Sequence, residues 1–397
     1  MQKATGFAVS WFFAPYLGSA DIDFYKRIKN SQFDFDVVQV AREHRDDRIL
    51  RLASSKINRF EVSADHKNPR APLERTKFIS ETVRLFIENK SKYSFIISHS
   101  NEMVSHEAAA EIKKLYPNIP WIAYFGDLFI KNPYVKYIHG YPLVREDIEI
   151  ERNTLVSADV IILNNDYQRQ LMFTEELKRY QGKSVVIPHC YDPSFYPGDD
   201  RTEPDNNKFV FAHLGALYHV KRTAEPVLKA VDRLVDIYPK YKNKFEVIFY
   251  GGNPNSHDIS VHAFMSSRNS VRFEDQISYI DSLRVMKEAD CLLLIDGIFN
   301  EKDDGLKFSP FLPGKLMDYM GAKKPIMAIT MNDGPTADIM RTSSNLIADE
   351  KIDRIAYVMK RYIDGKITPN YDTFVEYDVD VVAKKMDAVF SMALKGK

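Results

Sequence analysis

Short apolar runs alternate along the chain with longer stretches whose apolar residues recur at helical spacing. An apolar run of about four to eight residues suits a strand buried on both faces, and the amphipathic stretch after it suits a helix covering the sheet. The first half predicts strands at 7–12, 36–40, 94–98, 120–125, 159–163 and 184–187. Helical patterns fall near 20–30, 73–90, 105–116, 146–157 and 166–179. The third has Ser105 at its start and Pro117 just past its end, a capping residue and a forced stop. From 191 to 207 Pro, Gly, Asp and Asn prevail, which reads as a linker. The alternation then restarts, with strands at 209–214, 245–250, 291–295, 325–329 and 345–348. Helices are expected near 222–238, 279–289, 315–322, 335–342 and 351–363. A last helical pattern at 379–395 follows a loop and suits packing on either half.

Strands joined by helices imply parallel sheets, so the predicted class is α/β, with two Rossmann-like doubly wound domains at 1–190 and 208–378. The helix at 379–397 has the option of returning to the first. Open parallel sheets bind ligands at the carboxyl ends of their strands, where loops and helix N-termini converge. Two such domains in succession predict a site in the cleft between them.

Composition narrows the function classes. With 397 residues, of which 45% are hydrophobic, the chain exceeds what one core usually supports. A formal net charge of +0 argues against a nucleic-acid partner. Cys190 and Cys291 lie in different halves and neither belongs to a CxxC pair, so a reducing cytoplasm is expected. The N-terminal Met1-Gln-Lys3 and the apolar stretch to Leu17 have the outline of a signal peptide. Pro15 and Gly18 interrupt it, and Phe7 to Phe12 reads better as a buried first strand.

Neither half carries G-x-G-x-x-G after its first strand or G-x-x-x-x-G-K-[ST], so the usual dehydrogenase and P-loop signatures are missing. Two other stretches stand out. Phe209 to Arg222 is an apolar strand, a glycine at its carboxyl end (Gly215), a short loop, and then Lys221 and Arg222 where a helix begins. Glycine admits close approach of a ligand to the backbone, and two cations beside a helix start suit a diphosphate. An ordinary βα turn with solvated basic residues explains the same pattern. In the second stretch, Pro313-Gly314 makes a tight entry into a short helix containing Lys315, Leu316 and Asp318. Amides at 314–316 suit phosphate oxygens and Asp318 suits the hydroxyls of a ribose, unless that carboxylate merely complements the helix dipole. Gly251-Gly252, after strand 245–250, gives a third glycine turn on the same sheet edge.

Taken together these segments resemble the second domain of retaining glycosyltransferases of the B-type fold, in particular family four. In that family a Lys or Arg after a strand and glycine grips the donor diphosphate, which matches Gly215 and Lys221, with Arg222 adjacent. The segment Lys315 to Ile326 is similar to the family's later signature, with Asp318 where its ribose-binding Glu belongs. Val271-Arg-Phe273, with Ser278-Tyr279, through Asp290 to Leu294, and Val186-Ile-Pro-His-Cys-Tyr-Asp-Pro-Ser-Phe195 also look like family segments, and the resemblance spans roughly residues 90 to 345. Three positions depart from the pattern: Ala216 where many members have Arg, Phe311 where many have a second acid, and Gly126 where a His precedes the Asp at 127.

The resemblance implies that the first domain holds the acceptor. Gly18, in the loop after the first strand, looks like the part that faces the donor. His99 and Glu102, after strand 94–98, are candidate polar contacts to an acceptor hydroxyl, although a His at a strand end is often structural. Asp127 has a similar position after strand 120–125. Ten Lys and Arg between 42 and 77 suit either a solvated helix-loop or a basic surface for an anionic membrane bearing a lipid-linked acceptor. Asp199-Asp200 and Asp303-Asp304 lack converging ligands and read as surface charge, so no metal and no cofactor is expected.

The expectation is therefore a glycosyltransferase, retaining and metal-independent. It would move a sugar from a UDP-, GDP- or dTDP-linked donor to a glycan or lipid-linked acceptor in surface polysaccharide or glycoconjugate synthesis. The expected location is the cytoplasm, with the inner membrane face as a peripheral station. Lys221, Arg222, Asp127 and His99 are the candidate catalytic groups. A nucleotide-sugar epimerase of the same fold and a non-catalytic scaffold are the alternatives.

Overall fold

A computed structural model describes residues 4–16, 18–43, 48–49, 55–100, 102–134, 145–198, 208–217, 221–251 and 254–395. It divides into two compact units, one of residues 1–190 with 377–397 and one of residues 191–376.

The first unit carries a seven-stranded, all-parallel sheet in the order β3-β2-β1-β4-β5-β6-β7. Its strands are β1 (Thr5–Ser10), β2 (Asp34–Val40), β3 (Ile57–Val62), β4 (Tyr93–Ser100), β5 (Trp121–Phe125), β6 (Val160–Leu163) and β7 (Ser184–Val186). Strand β3 falls inside the basic stretch at 42–77 and is not expected from the pattern. It is an edge strand, partly solvated, and such strands accept residues like Arg59 and Glu61. The helical pattern at 166–179 is in fact a helix at Asp166–Met172 and a separate 3-10 stretch at Glu175–Lys183. Glu175 has φ +49°, which ends any continuous helix there. The core joins Phe7, Val9, Ile96 and Trp121 of the sheet to Phe78 and Phe86 of helix Pro72–Asn89 and to Ala108, Ala109 and Ile112 of helix Val104–Leu115.

Helix Val379–Lys395 belongs to this first unit. Phe390 stacks on Phe95 at 4.8 Å and meets Phe33 and Phe35 edge-on. Asp380 accepts from Asn30 at 2.6 Å, and Asp387 accepts from the Gln32 amide at 3.0 Å.

The second unit has a six-stranded parallel sheet in the order β10-β9-β8-β11-β12-β13. These are β8 (Phe209–Leu214), β9 (Phe245–Tyr250), β10 (Val271–Glu274), β11 (Cys291–Ile295), β12 (Ile326–Ile329) and β13 (Leu346–Ala348). Strand β10 and helix Ser256–Phe264 are not expected from the pattern. The strand is only four residues long and contains Arg272 and Glu274. The core packs Val227, Leu228, Val231 and Leu234 of helix Glu225–Ile237 with Ile355, Val358 and Met359 of helix Ile352–Ile363. Both sheets reverse direction of growth once, between β1 and β4 and between β8 and β11, and these switch points are where an open sheet leaves a crevice. Among the described residues no helix is long and apolar enough to cross a membrane.

Candidate functional site

The switch point of the second sheet gathers charge. Strand β8 ends at Leu214, and Gly215 follows with φ +106°, its amide bonded to the Tyr250 carbonyl at 2.9 Å. Only glycine adopts that backbone readily. A Cβ there would lie 2.6 Å from Nζ of Lys315 and 2.8 Å from its Cε, so the lysine chain occupies the space that Gly215 leaves open. Lys315 sits in the first turn of helix Gly314–Ala322. Among the described residues no hydrogen bond or ion pair holds its ammonium. Burial, and then the nearby Arg222 guanidinium, lower its pKa to about 7, against the pull of Asp318 and Asp296.

Arg222 is held by Asp296, which follows β11 directly and is 1% exposed. One oxygen of Asp296 accepts from the Arg222 guanidinium at 3.3 Å and from the Gly297 amide at 2.8 Å. The other faces the hydroxyls of Ser309, Thr330 and Thr336 at 3.3–3.4 Å. A buried carboxylate is tolerable only with such partners, and here they fix the guanidinium in place. Sequence reasoning missed Asp296, although an acid immediately after an apolar strand at the carboxyl edge is a readable signal.

Lys221 is placed differently from the expectation. Its ammonium is 2.6 Å from a carboxylate oxygen of Asp304, whose side chain is fully buried. Asp304 is thus no surface charge: it neutralises the cation expected to grip a diphosphate. The amides at 314–316 also need correction. The Leu316 amide donates to the Pro313 carbonyl at 2.9 Å, which leaves those of Gly314 and Lys315 to face outward from the helix start. A Cβ on Gly314 would meet nothing within 4 Å, so there is open space at that point.

Asp318 lies one turn further along the same helix and is 8% exposed. The Tyr279 hydroxyl donates to its Oδ1 at 2.9 Å, and the Tyr196 hydroxyl donates to its carbonyl. Sequence reasoning assigns neither a role: Tyr279 falls in a segment that resembles the family, and Tyr196 reads as an ordinary aromatic. Gly251 has φ +66°, and a Cβ there would meet Gln276 at 3.3 Å. Gly252 lies outside the described residues. Phe311 is buried against Phe299, at 5.6 Å between rings.

At the switch point of the first sheet, the ends of β1 and β4 are joined by Ser10 and His99, 2.9 Å apart. His99 is 2% exposed and stacked between Phe24 and Tyr124, at 4.9 Å from each. Burial lowers its pKa to about 3, so it stays neutral. That is a packing environment, and it corrects the expectation of a polar contact to an acceptor. Beneath it, Asp23 binds His189 at 2.6 Å, Tyr124 and the fully buried Arg27, while Arg27 donates to Asn164 at 2.7 Å. Glu102 is half-buried, and burial raises its pKa to about 7 despite Arg70. Asp127 is exposed just after β5, and Gly18 caps helix Ser19–Lys29, its amide bonded to Asp21 at 2.8 Å. Several cations of the 42–77 stretch are already matched: Arg42 with Asp21, Arg70 with Asp147 and Arg75 with Glu107. Arg45 and Arg51 lie outside the described residues, as do Asp199 and Asp200.

No family model matches the sequence, and no curated protein matches it. Solved structures do match in shape over the whole chain. A glycosyltransferase from Rickettsia africae ESF-5 superposes with a TM-score of 0.66 at 12% identity, covering 100% of both chains. A UDP-forming α,α-trehalose-phosphate synthase from Burkholderia xenovorans, in complex with glucose-6-phosphate, gives 0.66 at 11% identity, covering 99% of this chain and 100% of that one. A putative UDP-N-acetylglucosamine 2-epimerase from Listeria monocytogenes gives 0.64 at 11% identity, covering 100% and 98%. The fold is therefore that of the B-type glycosyltransferases, two α/β units each built on a parallel sheet.

Proposed function

We propose that the chain is a glycosyltransferase that takes a nucleotide-linked sugar on the carboxyl edge of its second sheet. The observation that carries this reading is the Lys315 ammonium, which lacks an ion partner among the described residues and lies over the open face of Gly215. A cation left unmatched in a half-buried place asks for an anion. Lys315, the Asp296-held Arg222 and the amides of Gly314 and Lys315 together suit a diphosphate. In this reading an acceptor hydroxyl oxygen bonds to the sugar's anomeric carbon as the sugar–phosphate bond breaks, and the hydroxyl proton passes to the leaving diphosphate. The two cations stabilise the negative charge that develops on the leaving diphosphate. Asp318 takes the hydroxyls of the nucleoside sugar.

The expected primary role of Lys221 passes to Lys315, because Asp304 already neutralises Lys221. The acceptor, a hydroxyl of a glycan or a lipid-linked sugar, falls to the first unit, with Glu102 and Asp127 as its polar candidates and Gly18 in its loop. Retention of configuration, independence of metal and a part in surface polysaccharide synthesis belong to the same proposal. The donor is tested by thermal shift and calorimetry with UDP-, GDP- and dTDP-sugars. One of them should raise the melting temperature, and Lys315→Ala should weaken its binding at least about tenfold. Normal binding by Lys315→Ala sinks this placement. The Listeria neighbour favours one second reading, epimerisation. Incubating the protein with donor alone separates the two, since an epimerase makes a new sugar without acceptor.

A further inference from the structure

Helix Tyr279–Glu288 begins beside helix Gly314–Ala322, and its first residue reaches across to it. Ser278 caps the entering helix, its hydroxyl accepting from the Asp281 amide at 3.1 Å, so the backbone of Tyr279 is fixed. The Tyr279 ring meets Phe195 edge-on at 6.4 Å, and its hydroxyl reaches Asp318 Oδ1 at 2.9 Å. Tyr196 holds the same residue from the other side by donating to the Asp318 carbonyl, and its ring fills the place a side chain at Gly321 would need. One tyrosine thus holds the backbone of Asp318 and the other its carboxylate.

A carboxylate has about four lone-pair sites on two oxygens, and the Tyr279 phenol takes one of them. Tyr279 stops the short side chain from rotating and thereby sets the plane of its carboxylate. We propose that Tyr279 is a positioning residue that aims the Asp318 carboxylate at the nucleoside sugar hydroxyls, making the site select a hydroxylated nucleoside diphosphate over its 2′,3′-dideoxy counterpart. This rests on the donor site proposed above and assigns its nucleoside-sugar specificity.

The test measures dissociation constants of UDP, GDP and dTDP, each against its dideoxy counterpart, by calorimetry. For the nucleotide that binds, wild type should prefer the hydroxylated form by about tenfold or more. Tyr279→Phe should weaken that form about fivefold and leave dideoxy binding within about twofold. Asp318→Asn should lose the preference, and adding Tyr279→Phe to it should change little further, as expected of two residues acting through one interaction. Lys315→Ala should weaken both forms alike. If wild type binds none of the diphosphates, the donor-site reading itself fails. If it binds but shows no preference, or Tyr279→Phe weakens both forms equally, the role of Tyr279 is overturned while the donor site stands.

Discussion

Lys315 is poised where a small change in surroundings moves a proton. Its pKa of about 7 in the unliganded protein comes from burial and from Arg222, both of which disfavour the charged form. A bound diphosphate adds negative charge and raises that pKa. Below pH 7 the ammonium is present before and after binding, so affinity is at its maximum. As pH rises through 7, binding must take up a proton, and affinity falls by up to about tenfold per pH unit until the bound form also loses it. The neighbouring His213 does not interfere, because burial and Lys315 hold it neutral, well below its ordinary range. A nucleotide sugar is the right probe, since its diphosphate is esterified at both ends and does not titrate near neutrality. Its dissociation constant should rise from pH 6 to pH 9 in wild type and stay nearly flat in Lys315→Ala. A flat wild-type profile would take the ammonium out of the anion site. The two lysines separate in the same assay. Lys221→Ala should weaken donor binding less than Lys315→Ala, because Lys221 is already spent on Asp304.

Helix Ser19–Lys29 shows how one element holds a sheet edge together. Asp23 and Arg27, four residues apart on one face, join Tyr124 of β5, Asn164 after β6 and His189 beyond β7. Burial alone would raise the Asp23 pKa, but Arg27 and then His189 outweigh it and hold the group well below the carboxylate range. The sign follows: the stability from Asp23 is present at neutral pH and is lost only as pH falls through its depressed native pKa. Asp23→Ala leaves a fully buried guanidinium without its counter-ion and should cost about 3–5 kcal/mol in urea unfolding. A loss below about 1 kcal/mol would show that Asn164 and the Ile187 carbonyl suffice for Arg27.

At the scale of the whole chain, the last helix returns to the first unit and closes its core through Phe390. Phe390→Ala should destabilise that unit by about 3–5 kcal/mol, the usual range for removing a buried aromatic ring. Nucleotide binding should persist in the same variant at temperatures where the protein stays folded, since every residue of the proposed donor site belongs to the 191–376 unit. Loss of binding without unfolding would mean that the donor site draws on the first unit.

The alternation of apolar runs and amphipathic stretches was enough to place both parallel sheets, because a strand covered on two faces and the helix that covers it leave opposite hydrophobic periods. It also placed Gly215 and the helix that carries Lys315 and Asp318 after strands of the second half, since the glycine ends an apolar run and Pro313-Gly314 opens the helix. It missed β3 and β10, short or partly solvated strands whose charged residues hide the pattern. What sequence spacing cannot carry is which charges meet. Asp304 lies far along the chain from Lys221 and Asp296 from Arg222, and only folding decides that one cation is cancelled, another is fixed, and Lys315 is left facing the space a glycine opens.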